Sequence, residues 1–372
     1  MQKPNITIFT GPQGHYSIAK ALEQTLKSKY NVKIFYERDF LFTFYTPLYQ
    51  LLPQASGVPF FLSQKLAHNK KTVDLALDLF RFKYNNKLEK FVSKYRPVAY
   101  FSTYFMFNAT LEHFQSVGNK PFINCFTDPR TIHRLLVSDK AKLNIAFDRQ
   151  TVKDAKQMSP QAQVKAMGWL VRDEFEQDYD MNQVREKLKL KPDIFTILIS
   201  SGSEGTNMIL KILPSVLLAK TPIQVIVACG NNKTLFRAVN GLQRFAQKRK
   251  QYQANLIPIG FTKEIYRYLQ ASDLVLGKAG PNTIFEAVAT KTPFFAITHI
   301  AGQEDGNLDI IRKYNLGYVE ENPLKATKLL NKIIKDPGLL KSFAKPLAKM
   351  AEYNHQTKTK LMENLETLLN AA

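Results

Sequence analysis

Short runs of β-branched and aromatic residues alternate with longer amphipathic stretches along the whole chain. In the first half the runs fall at 5–10 (NITIFT), 32–36, 98–102, 121–126, 144–148 and 164–167, with helical periodicity at 15–29, 72–95 and 107–117 between them. The second half repeats the scheme, with strands at 194–200, 223–228, 255–259, 273–276, 293–297 and 317–319. Its helices are expected near 205–219, 233–249, 263–270, 282–290, 305–314 and 323–335. Such alternation predicts an α/β protein with parallel, doubly wound sheets. The acidic stretch DEFEQDYDMNQ (173–183) reads as the linker between two halves, 1–172 and 184–352. A helix over about 353–372 is expected to pack back onto the first half.

Composition narrows the class. The 372 residues are 45% hydrophobic and 22% charged, the proportions of a folded protein. Lys plus Arg number 52 against 31 Asp plus Glu, a net charge of +21, which favours nucleic acid, an anionic membrane or a phosphorylated substrate as partner. Residues 1–165 carry 24 basic and 11 acidic side chains, and residues 166–372 carry 28 and 20. Cys125 and Cys229 lie far apart in apolar, strand-like runs, so buried thiols in a reducing compartment are expected rather than a disulfide framework. The apolar run in MQKPNITIFTG is too short for a signal peptide. Residues 40–62 carry no charge, yet Pro47, Pro53 and Pro59 recur every six residues, so the segment is read as a non-spanning one. Its Phe42, Phe44, Tyr45, Phe60 and Phe61 suit a position at a bilayer face, beside the more basic half of the chain.

Three glycine-bearing turns follow strands, where open α/β sheets bind ligands. The first, TGPQGHYSIAKAL (10–22), sets Gly11 and Gly14 before His15 at the first turn of a helix, a position for a general base. The second, LISSGSEGTNMI (198–209), offers Ser201, Gly202, Ser203 and Gly205 ahead of a helix N-terminus, a site for an anion. It is neither a Walker loop nor a dinucleotide fingerprint. The third, GKAGPNTIFEAVATKTPFFAITHIAGQEDGN (277–307), joins a small-residue turn and a helix bearing Thr283 and Glu286 to a second loop, 302–307.

This last stretch resembles the donor-binding half of family 28 glycosyltransferases. Within them it is most similar to the monogalactosyldiacylglycerol synthases and the processive diacylglycerol glucosyltransferases, and more distantly to the N-acetylglucosaminyl transferase that completes lipid II. The resemblance implies a GT-B architecture, two Rossmann-like doubly wound domains facing a central cleft. It implies donor contacts from Ala279, Gly280, Pro281, Asn282, Thr283, Glu286, Gln303, Glu304 and Asn307. Ser201 to Gly205 would face the donor diphosphate, and Gly260 with Phe261 would hold the uracil. His15 falls where the family has a Gly-His loop proposed to carry the base, although Gly-Pro-Gln-Gly-His replaces the usual consecutive glycines. FTDPRTIH (126–133) resembles a cleft segment of the synthases and brings Asp128 and His133 forward as further catalytic candidates.

The implied reaction is inverting, metal-independent hexosyl transfer from UDP-glucose or UDP-galactose to a diacylglycerol-type lipid, by a peripheral protein at the cytoplasmic face of the cell membrane. No cofactor is implied, since the UDP-sugar is a substrate. Asp178-Tyr179-Asp180 fits the metal-gripping Asp-x-Asp pattern but lies in the acidic linker and reads as solvated charge. The remaining histidines show no ligand spacing. Three alternatives stand beside this reading: a polyprenyl-diphosphate sugar as acceptor, a nucleotide-sugar epimerase, and a basic nucleic-acid-binding protein. The last leaves 277–307 without a purpose, so no nucleic acid is expected as partner.

Overall fold

The structure, a computed structural model, describes residues 3–38, 57–67, 69–200, 209–249 and 251–371. The chain divides into two compact units, one of Met1–Asp173 with Ala301–Gly306 and Tyr353–Ala372, the other of Glu174–Ile300 with Asn307–Glu352. Each holds one six-stranded sheet in which every pairing is parallel.

In the first unit the strands are β1 (Asn5–Thr10), β2 (Asn31–Tyr36), β3 (Ala99–Ser102), β4 (Phe122–Cys125), β5 (Leu143–Ala146) and β6 (Val164–Ala166), in the order β2-β1-β3-β4-β5-β6. Their side chains, among them Ile6, Ile8, Phe101, Phe122 and Ile123, are buried, as a sheet covered on both faces requires. The end of the helix Ala344–Asn370 belongs to this unit. There Thr357 Oγ1 donates to the Met167 carbonyl (2.7 Å), Tyr353 OH to the Phe147 carbonyl (2.7 Å), and Asn354 Oδ1 accepts from the Trp169 amide (2.9 Å). Gly168, at φ +110°, makes that fit possible, because a Cβ there would stand 2.4 Å from Thr357 Oγ1.

The second unit holds β7 (Phe195–Ser200), β8 (Ile223–Gly230), β9 (Ala254–Gly260), β10 (Leu274–Lys278), β11 (Phe294–Thr298) and β12 (Gly317–Val319), in the order β12-β11-β10-β7-β8-β9. Strand order reverses between β7 and β10 here, and between β1 and β3 in the first unit. At such switch points the loops after the two strands diverge and open a crevice. Gly277 pairs with Ser200 across the second switch point, and a Cβ on it would fall 1.7 Å from the Ser200 carbonyl oxygen.

The linker is partly helical. Asp180 Oδ1 caps the helix Met181–Lys187 by accepting from the amides of Asn182 and Gln183, while Asp178 is exposed. Cys125 and Cys229 are free and buried, and burial pushes their thiols up to about 12 and about 11, so neither is a thiolate at neutral pH. Among the described residues no helix is long and apolar enough to cross a membrane.

Gly277→Ala is expected to lower unfolding free energy by about 2 kcal/mol or more, since backbone must move to admit the methyl. Gly260→Ala, where a Cβ meets nothing within 4 Å, is the control and should shift it by less than about 0.5 kcal/mol. Urea melts of the two variants beside the wild type decide it; equal midpoints would refute the close approach.

Candidate active site

The first switch point is closed by a histidine. His15 lies in the first turn of the helix Gly14–Leu26, and its Nδ1 is 2.7 Å from the Thr103 carbonyl just past β3. A carbonyl only accepts, so Nδ1 carries the proton and Nε2 keeps the lone pair. Burial lowers the imidazole pKa to about 4, with the Thr103 hydrogen bond pulling the other way. At neutral pH His15 is therefore an uncharged ring with one basic nitrogen. Thr103 is itself fixed, its Oγ1 donating to Thr10 Oγ1 (2.7 Å) and its amide to the Phe9 carbonyl (3.0 Å).

Tyr104 packs against the His15 ring at 4.8 Å between centroids. It also explains Gly11, where a Cβ would lie 2.8 Å from the Tyr104 ring. The glycine thus makes room for an aromatic side chain of the same unit. Gln13 takes φ 54° and ψ −118°, a conformation that favours glycine and costs a side-chain-bearing residue about 1–3 kcal/mol.

FTDPRTIH wraps the end of β4. Asp128 Oδ1 accepts from Gln303 Nε2 at 3.3 Å, and Thr131 Oγ1 accepts from the Gly306 amide at 2.8 Å, so the loop Ala301–Gly306 sits on this segment within the first unit. Gly306 is required there, because a Cβ would stand 2.3 Å from Arg130 Cγ. Arg130 is held by a buried, two-pronged ion pair with Asp148 (3.0 and 2.6 Å). His133 is differently employed. Its Nδ1 accepts from the Leu135 amide (3.1 Å) as a helix cap, and burial lowers its pKa while a backbone hydrogen bond with Ser63 raises it.

In the second unit the turn after β10 leads into the helix Pro281–Ala289. Ile284, Phe285, Ala287 and Val288 are buried, so Asn282, Thr283 and Glu286 share the half-exposed face. Gly280 stands at the N-cap and offers no side chain to the first amides, which leaves the positive end of the helix dipole available to an anion. Asn307, 1% exposed, donates from Nδ2 to the Ala279 carbonyl (2.8 Å) and so fixes the start of the helix Asp305–Lys313 to that turn. Gln303 is half-buried and Glu304 buried. Gly260 ends β9, with Phe261 60% exposed beside it. Ser201, Gly202, Ser203 and Gly205 lie outside the described residues, as do Phe42, Phe44 and Tyr45. Gly14 opens its helix; Phe60 and Phe61 lie on the helix Gly57–Leu66, where the Phe61 side chain is 74% exposed.

The positioning roles of Thr103, Tyr104, Thr131 and Arg130 are not visible in the residue pattern. Thr103 acts on His15 through its backbone carbonyl, which no side-chain motif records.

The two doubly wound units define the GT-B architecture. Acinetobacter baumannii MurG superposes on 98% of this chain and 99% of its own, with a TM-score of 0.61 at 14% identity. Residues 196–365 match the glycosyltransferase family 28 C-terminal domain. A processive diacylglycerol β-glucosyltransferase of Staphylococcus carnosus (strain TM300) is 29% identical over 50% of this chain and 46% of its own length. A probable chloroplastic monogalactosyldiacylglycerol synthase 3 of Oryza sativa subsp. japonica is 24% identical over 72% and 54%. The chain thus spans about half the length of curated relatives it matches.

His15 also sets a pH dependence. The unfolded ring binds a proton below its ordinary value of 6.5 and the folded ring only near 4, so folding stability falls as pH drops through that window. The loss amounts to about 3 kcal/mol. His15→Asn is expected to flatten this part of the profile, read from urea melts between pH 7 and pH 4.5; parallel profiles would disprove the depressed value.

Proposed function

We propose that the chain is an inverting, metal-independent hexosyltransferase that moves a sugar from UDP-glucose or UDP-galactose to a diacylglycerol-type membrane lipid. The family 28 domain carries the reading, because it lies on the unit whose switch-point turn presents Thr283 and Glu286 beside an uncapped helix start. The names of the relatives, which act on diacylglycerol, support the acceptor class.

The donor diphosphate rests against the amides at the start of the helix Pro281–Ala289. Glu286 accepts both ribose hydroxyls, Gly260 and Phe261 hold the uracil, and Gln303 and Glu304 read the sugar. Asn307 keeps the 279–283 turn in place through the Ala279 carbonyl. The acceptor hydroxyl gives its proton to Nε2 of neutral His15 as its oxygen bonds to C1 of the sugar. The bond from C1 to the diphosphate breaks, and UDP leaves with the electron pair. Helix-end amides take up the charge on the leaving group. Asp128, hydrogen-bonded to Gln303, is the second candidate for the base, ahead of His133, whose Nδ1 serves as a cap. Metal independence fits the use of Asp180 as a helix cap.

Contact with a bilayer, which this reading puts at the cytoplasmic face, draws its support from exposed apolar side chains. Phe61, Leu62 and Leu66 stand out from the helix Gly57–Leu66, and Leu75, Leu79 and Phe82 line one face of the helix Lys70–Tyr95 at helical spacing. Phe82 is 88% exposed.

Incubation with radiolabelled UDP-sugars and mixed lipid extract should yield a labelled glycolipid, undiminished by EDTA. Label confined to water-soluble product would overturn the acceptor, and loss in EDTA restored by manganese or magnesium would overturn metal independence. Glu286→Ala is expected to weaken UDP binding by calorimetry about ten- to a hundredfold with the fold intact. Unchanged affinity would contradict the ribose contact.

A further inference from the structure

The excess charge of the second half is not spread evenly. From residue 205 to residue 263 there is no Asp or Glu, while nine Lys and Arg occur: Lys211, Lys220, Lys233, Arg237, Arg244, Lys248, Arg249, Lys250 and Lys263. Residues 166–372 net +8 in all, so the rest of this half sums to −1.

The structure gathers part of that charge on one helix. Lys233–Gln247 packs along the edge strand β9, with Leu235, Val239 and Ala246 buried beneath it. Gln243 pins the helix in rotation, its Nε2 donating to Asn255 Oδ1 (2.8 Å) and its Oε1 accepting from the Leu256 amide (2.7 Å). The opposite face therefore points outward. It carries Arg237, Gly241, Arg244, Phe245 and Lys248 at three- and four-residue spacing, all exposed, and exposed Arg249 follows in the next turn. Among the described residues none of these four cations pairs with a carboxylate. Phe245 is 45% exposed in their midst, with the Arg249 guanidinium 3.8 Å from its ring centroid.

We propose that this face, Arg237-Arg244-Phe245-Lys248-Arg249, docks on the headgroups of an anionic phospholipid bilayer, a contact made by the sugar-donor unit itself. The inference rests on the reading of the acceptor as a membrane lipid. Guanidinium forks match headgroup phosphates, and an aromatic ring among cations suits the depth of the headgroup layer. A nucleic acid fits less well: Arg249 already covers one face of the only exposed ring on this helix, the face on which a base would stack. The missing carboxylates have a use here, since each would repel the same phosphates.

The test uses the full chain and vesicle flotation, comparing pure phosphatidylcholine with phosphatidylcholine containing phosphatidylglycerol. The triple variant Arg244→Gln, Lys248→Gln, Arg249→Gln should partition on the order of 100-fold more weakly on anionic vesicles and equally on neutral ones. Phe245→Ser should lose severalfold on the anionic vesicles. Both variants should keep wild-type melting and wild-type turnover on a detergent-dispersed acceptor. Wild-type partitioning by the triple variant overturns the proposal, as does loss of single-stranded RNA binding with vesicle binding unchanged. Absence of labelled lipid with the partition difference intact would instead condemn the acceptor reading alone.

Discussion

In both units the arrangement depends on one constraint, the reversal of strand order beside the first strand of a parallel sheet. The chain leaves β1 toward β2 on one side and returns as β3 on the other, so the loops after β1 and β3 must separate. His15 reaches across to the Thr103 carbonyl at that parting, which fixes its tautomer. In the second unit β10 approaches β7 so closely that only a residue without a side chain fits opposite Ser200. Asn307 then ties the following turn to the next helix.

Charge is handled in two ways. In each unit an arginine is held by an acidic partner. Arg130 meets Asp148, and Arg185 donates to Asp273 and to the carbonyls of Ala271 and Pro192. A buried cation of this kind is costly unless every donor is satisfied, so these pairs act as geometric clamps more than as sources of stability. Arg237, Arg244, Lys248 and Arg249 are exposed and, among the described residues, pair with no carboxylate, so they remain available to phosphates.

Much of this was legible in the residues and part was not, for physical reasons. The strands stand out because a sheet covered on both faces consists of near-continuous apolar runs, such as FTILIS at 195–200 and IQVIVACG at 223–230. The helix Arg149–Met158 escapes detection because it fully buries only Thr151 and Ala155 and, apart from Val152 and Met158, is otherwise polar. The helix Gly57–Leu66 is hidden by Pro59, which breaks a helix interior but is tolerated in the first turn. Glycines at 11, 277 and 306 are visible in sequence; what each makes room for, a tyrosine ring, a strand carbonyl and an arginine stem, is not. The turn 279–283 was readable from its small residues, whereas the Thr103 carbonyl that orients His15 has no side-chain signature.

The division of the chain also bears on how it comes to be folded. The first unit is not a continuous stretch: residues 353–372 complete it, supplying the partners of the Met167 and Phe147 carbonyls and the Trp169 amide. Those three backbone groups stay without these partners until the chain has been made through residue 357. A ribosome therefore releases the second unit's sequence before the first can close. The final packing of the first unit thus waits on residues that are made after the whole of the second unit's sequence.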